Sequence, residues 1–147
     1  MLKSIVGVVV GYLVMAFVAF AAYTAAYFGL GTDRAFEPDT YALSGIWIGL
    51  VIAITIIAGL IGGLTCAAIS KSRTTGLVFA LIVFVLSLVF ELPNIMKDHT
   101  PVARTGDVSN LEVMRKAQPP AWLCILNPFL AGAAVLMGTR MKKSPEV

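Results

Sequence analysis

The chain has 147 residues, of which 59% are hydrophobic and only 13% are charged, and its formal net charge is +3. Ordinary soluble domains have roughly 45–50% apolar and about 25% charged residues. A folded domain of this size has too small an interior to hide so many apolar side chains from water. The composition and a mean hydropathy of +0.90 therefore exclude water-soluble, disordered, collagen-like and disulfide-scaffold proteins, and predict an integral membrane protein.

Four long intervals without charged residues predict four membrane-spanning helices. Crossing the hydrocarbon core takes about 20 apolar residues as a helix. The predicted spans form one transmembrane domain over 1–147 and cover about 5–30, 45–69, 76–92 and 121–138. Their apolar runs are continuous and lack the alternation of a membrane β-barrel, which favours an all-α four-helix bundle.

The third span is the shortest, because its apolar run over 76–90 has only 15 residues before Glu91. Twelve of the residues 77–90 are Leu, Ile, Val or Phe. Their combined insertion free energy of roughly −5 kcal/mol is enough to offset one acid near the edge. A helix that continues past Pro93 towards Met96 reaches spanning length.

The basic residues predict the orientation of the four spans. Both termini and the 70–75 loop share one side, with six Lys and Arg and a net charge of +5. The opposite side, made of the outer loops 31–43 and 93–120 and of Glu91, carries five basic residues over a longer stretch and a net charge of −2. By the positive-inside rule we expect a cell-membrane protein with both termini in the cytoplasm. These flanks explain the isoelectric point near 9.0, so no nucleic-acid partner is expected.

Four aromatic residues fall at the predicted outer ends of the spans or beside them: Tyr27, Tyr41, Trp47 and Trp122. Amphipathic aromatic rings concentrate at membrane interfaces. The sequence therefore predicts an aromatic belt at the outer interface.

A cleaved signal peptide is an alternative interpretation of the first span. Lys3 supplies a basic start, and the triplet 19–21, Ala-Phe-Ala, has the form of a cleavage site. The apolar run continues past this triplet to Leu30 and is longer than a usual signal sequence. We expect the first span to be retained.

Pairs of glycines four residues apart mark the predicted helix-packing faces. Small residues at this spacing let two helix backbones approach closely within a membrane. The pairs lie in the first and second spans: Gly7 and Gly11, Gly45 and Gly49, Gly59 and Gly63. They indicate contacts within this chain's own bundle or, alternatively, a face for a second protein or another copy, for which the first helix is the candidate.

Glu91, Asn127 and Pro128 form a possible polar site. Acids within membrane helices are expensive to bury and often functional, although Glu91 at the end of its span also fits an interface anchor. Pro128 removes a backbone donor and predicts a kink. The pair 127–128 is therefore either a structural kink or a binding site at a broken helix.

The long outer loop is expected to contain a short amphipathic helix lying along the membrane surface. Residues 109–112, Ser-Asn-Leu-Glu, form a capping box, flanked by Val108 and Val113 at the positions of a hydrophobic staple. Glu112 is placed to pair with Lys116 one turn later.

The chain is poor in residues that carry chemistry. No Lys, Arg or His lies inside a span, and His99 beside Asp98 in the outer loop is a weak metal signal. Cys66 and Cys124 lie on the order of 25 Å apart in membrane depth, too far for a disulfide. Since no catalytic motif is present, we expect no enzyme activity, no cofactor and no metal.

The size and the number of spans are similar to those of small multidrug exporters and fluoride channels. The first helix lacks the deep glutamate of the exporters, and the glycine- and arginine-containing channel signature is missing. The sequence therefore favours a non-catalytic accessory or structural subunit that packs in a homo- or hetero-oligomeric membrane complex. The alternative is a small oligomeric channel or transporter that uses Glu91 and the 127–128 pair.

Overall fold

The computed structural model describes residues 1–98, 100, 102–103 and 109–141, without the side chains of 110, 113 and 114. Within these residues the fold is all-α, with helices α1 Leu2–Leu30, α2 Thr32–Ala35, α3 Gly45–Ser70, α4 Arg73–Met96, α5 Asn110–Lys116 and α6 Ala121–Met141. Four of them, α1, α3, α4 and α6, are long and apolar enough to cross a membrane. The prediction of a multi-pass helical membrane protein is confirmed.

The third long helix, α4, does continue past Glu91 to Met96, with Pro93 inside it. Its 24 residues give a length of about 36 Å at 1.5 Å per residue, enough to cross the hydrocarbon core. The start of α4 is capped by Ser72, whose hydroxyl accepts a hydrogen bond from the Thr75 backbone N–H at 3.4 Å.

The bundle has two different ends. At the turn end, α3 passes directly into α4 through a left-handed Lys71 with φ 51°, and the N-terminus of α1 and the C-terminus of α6 lie there too. At the loop end, the segments 31–44 and 97–120 connect the helices. Helix α3 packs between α1 and α6, and α4 packs mainly against α6.

Glycines bring α1 and α3 into close contact near the turn end. A methyl group built on Gly11 would lie 2.9 Å from the Gly62 carbonyl oxygen, and one on Gly7 would lie 3.1 Å from the Cys66 carbonyl oxygen. Because α3 of the same chain covers them, Gly7 and Gly11 take part in packing within the chain's own bundle.

The contact between α3 and α6 is closer still. A methyl group on Gly63 would overlap the Val135 carbonyl oxygen, and one on Gly138 would overlap the Leu60 carbonyl oxygen. Gly59 faces Ala134, whose Cβ would lie 2.7 Å from an added methyl group. The backbones of these two helices therefore approach as closely as small residues permit.

Gly45 and Gly49 differ from the other predicted packing glycines. A methyl group on either would meet no atom of the described residues within 4 Å. Ile46 between them is 59% exposed. This face of α3 is therefore not used for packing within the part of the chain that the structure describes.

The aromatic residues at the loop end belong to the protein interior, so the predicted belt is wrong for three of its four members. Tyr27, Tyr41 and Trp47 are buried, and only Trp122 is exposed, at 53%. The rings of Tyr27 and Trp47 pack edge to face with centroids 6.4 Å apart. They are buried because segment 31–44 folds over the helix ends, which the apolar pattern of the spans does not indicate.

The two loop-end segments, 31–44 and 97–120, are joined by backbone hydrogen bonds. The Tyr41 N–H donates to the Val102 carbonyl oxygen at 3.2 Å, and the Gln118 N–H donates to the Tyr41 carbonyl oxygen at 2.9 Å. Phe36, in the first of these segments, is 1% exposed. The loop end is therefore a packed cap over the helices.

Helix α5 lies in the second loop-end segment, 97–120. The Ser109 hydroxyl accepts from the Glu112 backbone N–H at 3.3 Å, and the Lys116 ammonium donates to the Glu112 carboxylate at 2.7 Å. That hydrogen bond raises the pKa of Lys116 above its ordinary value. The predicted staple of Val108 and Val113 lies outside the described side chains, and the placement of α5 along a membrane surface stays a prediction.

We expect Gly63→Ala to lower the free energy of unfolding by about 1–3 kcal/mol, the usual cost of overpacking, because the new methyl group collides with the α6 backbone. Gly29→Ala is the matched control, because an added methyl group at this position of α1 meets no atom of the described residues within 4 Å, and its unfolding free energy should not fall. Reversible unfolding in mixed micelles, followed by circular dichroism, measures both. Equal behaviour of the two variants would contradict the packing described here.

Candidate functional site

A cavity of about 350 Å³ lies between the four long helices in the half of the bundle nearer the loop end. This volume is at the lower end of the roughly 300–1,000 Å³ typical of ligand pockets. Each long helix contributes at least one side chain with a polar group: Tyr23 from α1, Trp47 from α3, Glu91 and Asn94 from α4, and Cys124 and Asn127 from α6. Apolar side chains, including Val51 and Leu123, form much of the remaining wall.

The cavity exists because the two halves of the bundle pack differently. In the half nearer the turn end, glycines let the helices meet, and four side chains of at most 1% exposure fill the interior: Cys66, Phe79, Val83 and Val135. Gly45 and Gly49, in the other half, are not at a helix contact. The cavity is therefore closed towards the turn end by a packed apolar core.

Glu91 faces the inside of the bundle. Its carboxylate accepts a hydrogen bond from the Asn94 side-chain amide at 3.0 Å. It lies close enough to Cys124 and Tyr23 to interact electrostatically with both. The half-buried carboxylate thus lies just over one helical turn before α4 ends, on the wall of the cavity.

Asn127 links two helices across the cavity floor. The Thr55 hydroxyl of α3 donates to the Asn127 side-chain oxygen at 2.8 Å, and the Tyr23 hydroxyl lies beside Thr55. Helix α6 continues through the buried Pro128, which removes the intrahelical donor for the Cys124 carbonyl. Asn127 therefore lines the same cavity as Glu91, whereas Pro128 does not.

A second cavity of about 260 Å³ adjoins the first beside the loop-end segments. The two share four lining residues: Asn94, Arg115, Ala117 and Pro119. Its other charged lining residues are Lys97, Asp98 and Lys116. We call this smaller space the vestibule, because it lies between the main cavity and the loop-end segments.

The six predicted packing glycines and the predicted polar site separate in space. None of those glycines lines the cavity, whereas Glu91 and Asn127 both do. The sequence also contained Tyr23 and Thr55 as polar residues within spans, without a stripe joining them. These two residues come together from different helices. The sequence signal that could have found them is their similar depth in separate spans, not a periodic pattern along one span.

Asn94, Arg115 and Cys124 are lining residues that the sequence did not indicate as a site. Arg115 comes from α5, which is far in sequence from every long helix except α6. Cys124 and Cys66 are both buried and unpaired. Nothing in their local sequence distinguishes Cys124, which lines the cavity, from Cys66, which belongs to the packed core.

No group of three or more His, Cys, Asp or Glu side chains that could hold a metal ion occurs among the residues that the structure describes. His99 and Asp107 lie outside those residues.

A search of protein-family models, curated proteins and solved structures finds no match to this chain.

Proposed function

We propose that this chain is a small, non-catalytic transport protein that takes up a polar solute from the loop end of the bundle. The observation that carries the proposal is the cavity in which Glu91, Tyr23 and Asn127 converge from three helices. An acid inside a membrane helix is costly and is retained mainly where it contacts a water-filled cavity, a partner or a substrate. This favours the transporter alternative over a purely structural subunit.

The closed half of the bundle supports a transporter rather than an open channel. Phe79, Val83 and Val135 fill the interior on the turn side of the cavity, so no continuous pore crosses the described helices. A solute that enters from the loop end would stop beside Glu91 and Asn127. Passage to the other side then requires a second conformation, in which the helices open towards the turn end.

We further propose that both termini face the cytoplasm and that the cavity opens to the outside of the cell membrane. The support is the charge asymmetry, with a net charge of +5 on the turn side and −2 on the loop side.

A second candidate role, as a subunit of a homo- or hetero-oligomeric membrane complex, is favoured by the uncovered face of α3. Gly45, Gly49 and Ala53 are spaced four residues apart, and all three are exposed. Small residues at this spacing allow close approach of another helix. The two roles are compatible, because this face does not line the cavity.

For transport, we expect proteoliposomes to accumulate solutes from a radiolabelled mixture of choline, amino acids and small carboxylates. Glu91→Gln should reduce uptake by roughly tenfold or more, since a charge-assisted contact is worth about 1.5–3 kcal/mol. Glu37→Gln, at an exposed loop acid, is the control and should leave uptake unchanged. No uptake above empty liposomes, or equal uptake by Glu91→Gln, would contradict the proposal.

For orientation, cysteine variants are compared in a background without Cys66 and Cys124. A small membrane-impermeant thiol reagent should label Glu91→Cys from outside intact cells, and Arg73→Cys only after the cells are opened. The reverse pattern would show the opposite orientation. A Glu91→Cys variant that stays unlabelled in opened cells would show that water does not reach the cavity.

For assembly, native mass spectrometry from mild detergent should give a complex well above the 15.6 kDa of one chain. Gly49→Leu should release the single chain, because a large side chain separates the helices at a close contact. Ala133→Leu, at an exposed position of α6, is the matched control. A wild-type monomer that retains transport would remove the subunit role.

A further inference from the structure

The main cavity contains two charged groups of opposite sign. Among its described lining residues, the half-buried Glu91 of α4 and the exposed Arg115 of α5 are the only ones with charged side chains. They form no ion pair with each other, since no nitrogen–oxygen distance between them is within 4.0 Å. An acid within a membrane helix usually faces a water-filled cavity or pairs with another polar group. Here the space between the two charges is the cavity itself.

Arg115 is the basic group that connects the main cavity with the vestibule, because both spaces include it in their walls. The other charges of the vestibule do not replace it in this role. The Lys116 ammonium forms an ion pair with the Glu112 carboxylate at 2.7 Å. Neither Lys97 nor Asp98 lines the main cavity. A ligand in the main cavity therefore meets Glu91 towards the membrane and Arg115 towards the loops.

From this placement we infer that the cavity binds a zwitterion, a small molecule that carries both an ammonium and a carboxylate or phosphate group. The ammonium contacts Glu91, and the anionic group contacts the guanidinium of Arg115, which can bind it with two parallel hydrogen bonds. The inference rests on the proposed function, since it names the substrate class of the same cavity.

The remaining walls fit such a ligand. Tyr23 and Trp47 lie side by side with ring centroids 6.3 Å apart, and aromatic faces attract ammonium groups. Val51 and Leu123 offer apolar surface for a hydrocarbon side chain. A simple cation would be repelled by Arg115 and a simple anion by Glu91, so one molecule with both charges satisfies the cavity best.

Three probes with the same phenyl-alkyl skeleton test the charge preference: L-phenylalanine, 2-phenylethylamine and 3-phenylpropionate. Binding to the purified full chain in lipid nanodiscs is measured by calorimetry and by the fluorescence of Trp47, in a Trp122→Phe background that leaves one tryptophan. L-Phenylalanine should bind with a Kd at least about tenfold lower than either singly charged probe.

The variants separate the two ends of the ligand. Glu91→Gln should weaken the binding of L-phenylalanine and of 2-phenylethylamine by about tenfold or more. Arg115→Gln should weaken the binding of L-phenylalanine and of 3-phenylpropionate but not that of 2-phenylethylamine. Arg115→Lys should restore part of the lost affinity. Arg34→Gln, at an exposed arginine outside the cavity, is the control. Equal elution profiles and thermal stability establish that each variant is folded.

The outcomes distinguish this inference from the proposed function. If 2-phenylethylamine binds as tightly as L-phenylalanine and its binding depends on Glu91, the zwitterion inference is wrong. The proposal that the cavity binds a solute then still stands. An Arg115→Gln variant that binds L-phenylalanine normally would lead to the same two conclusions. If none of the three probes gives heat or a fluorescence change, the zwitterion inference fails, and solute uptake by the proteoliposomes decides separately whether the proposed function stands.

Discussion

The structure depends on direct backbone contact between helices at the turn end. Lipid chains are as apolar as leucine, so burial of apolar side chains gives little drive for helices to associate within a membrane, and close van der Waals contact must provide it. Gly11 and Gly62 supply that contact between α1 and α3, and Gly63 and Gly138 supply it between α3 and α6. The half of the bundle that contains them is consequently dense.

The open half of the bundle follows from this contact. Glycines draw the helices together at the turn end, whereas large rings such as Trp47 and Tyr23 occupy the space between the helices at the loop end. Side chains of that size leave gaps where they meet side chains of other helices. Because Thr55, Glu91 and Asn127 lie at this level, the gap is lined by polar atoms and not by hydrocarbon alone.

The cap at the loop end turns this gap into a candidate site. The hydrogen bonds of Tyr41 with Val102 and Gln118 join the two loop-end segments over the helices. They bring Arg115 of α5 to the same cavity as Glu91 of α4. A small membrane protein thereby assembles a site from groups that are not neighbours in sequence and that no single helix could hold.

The sequence by itself determined the membrane class, the number of long helices and the possible importance of Glu91 and Asn127, because each follows from hydropathy over the length of one span or from the cost of a polar group inside it. Only the tertiary structure decided that Gly49 stays uncovered while Gly63 is packed, and that Trp47 is an interior residue. Gly49 and Gly63 each belong to a pair of glycines four residues apart. Whether such a pair is packed depends on whether another helix lies against that face. The cavity and its two charges are likewise invisible along the chain, since they arise from groups at matching depth on separate elements.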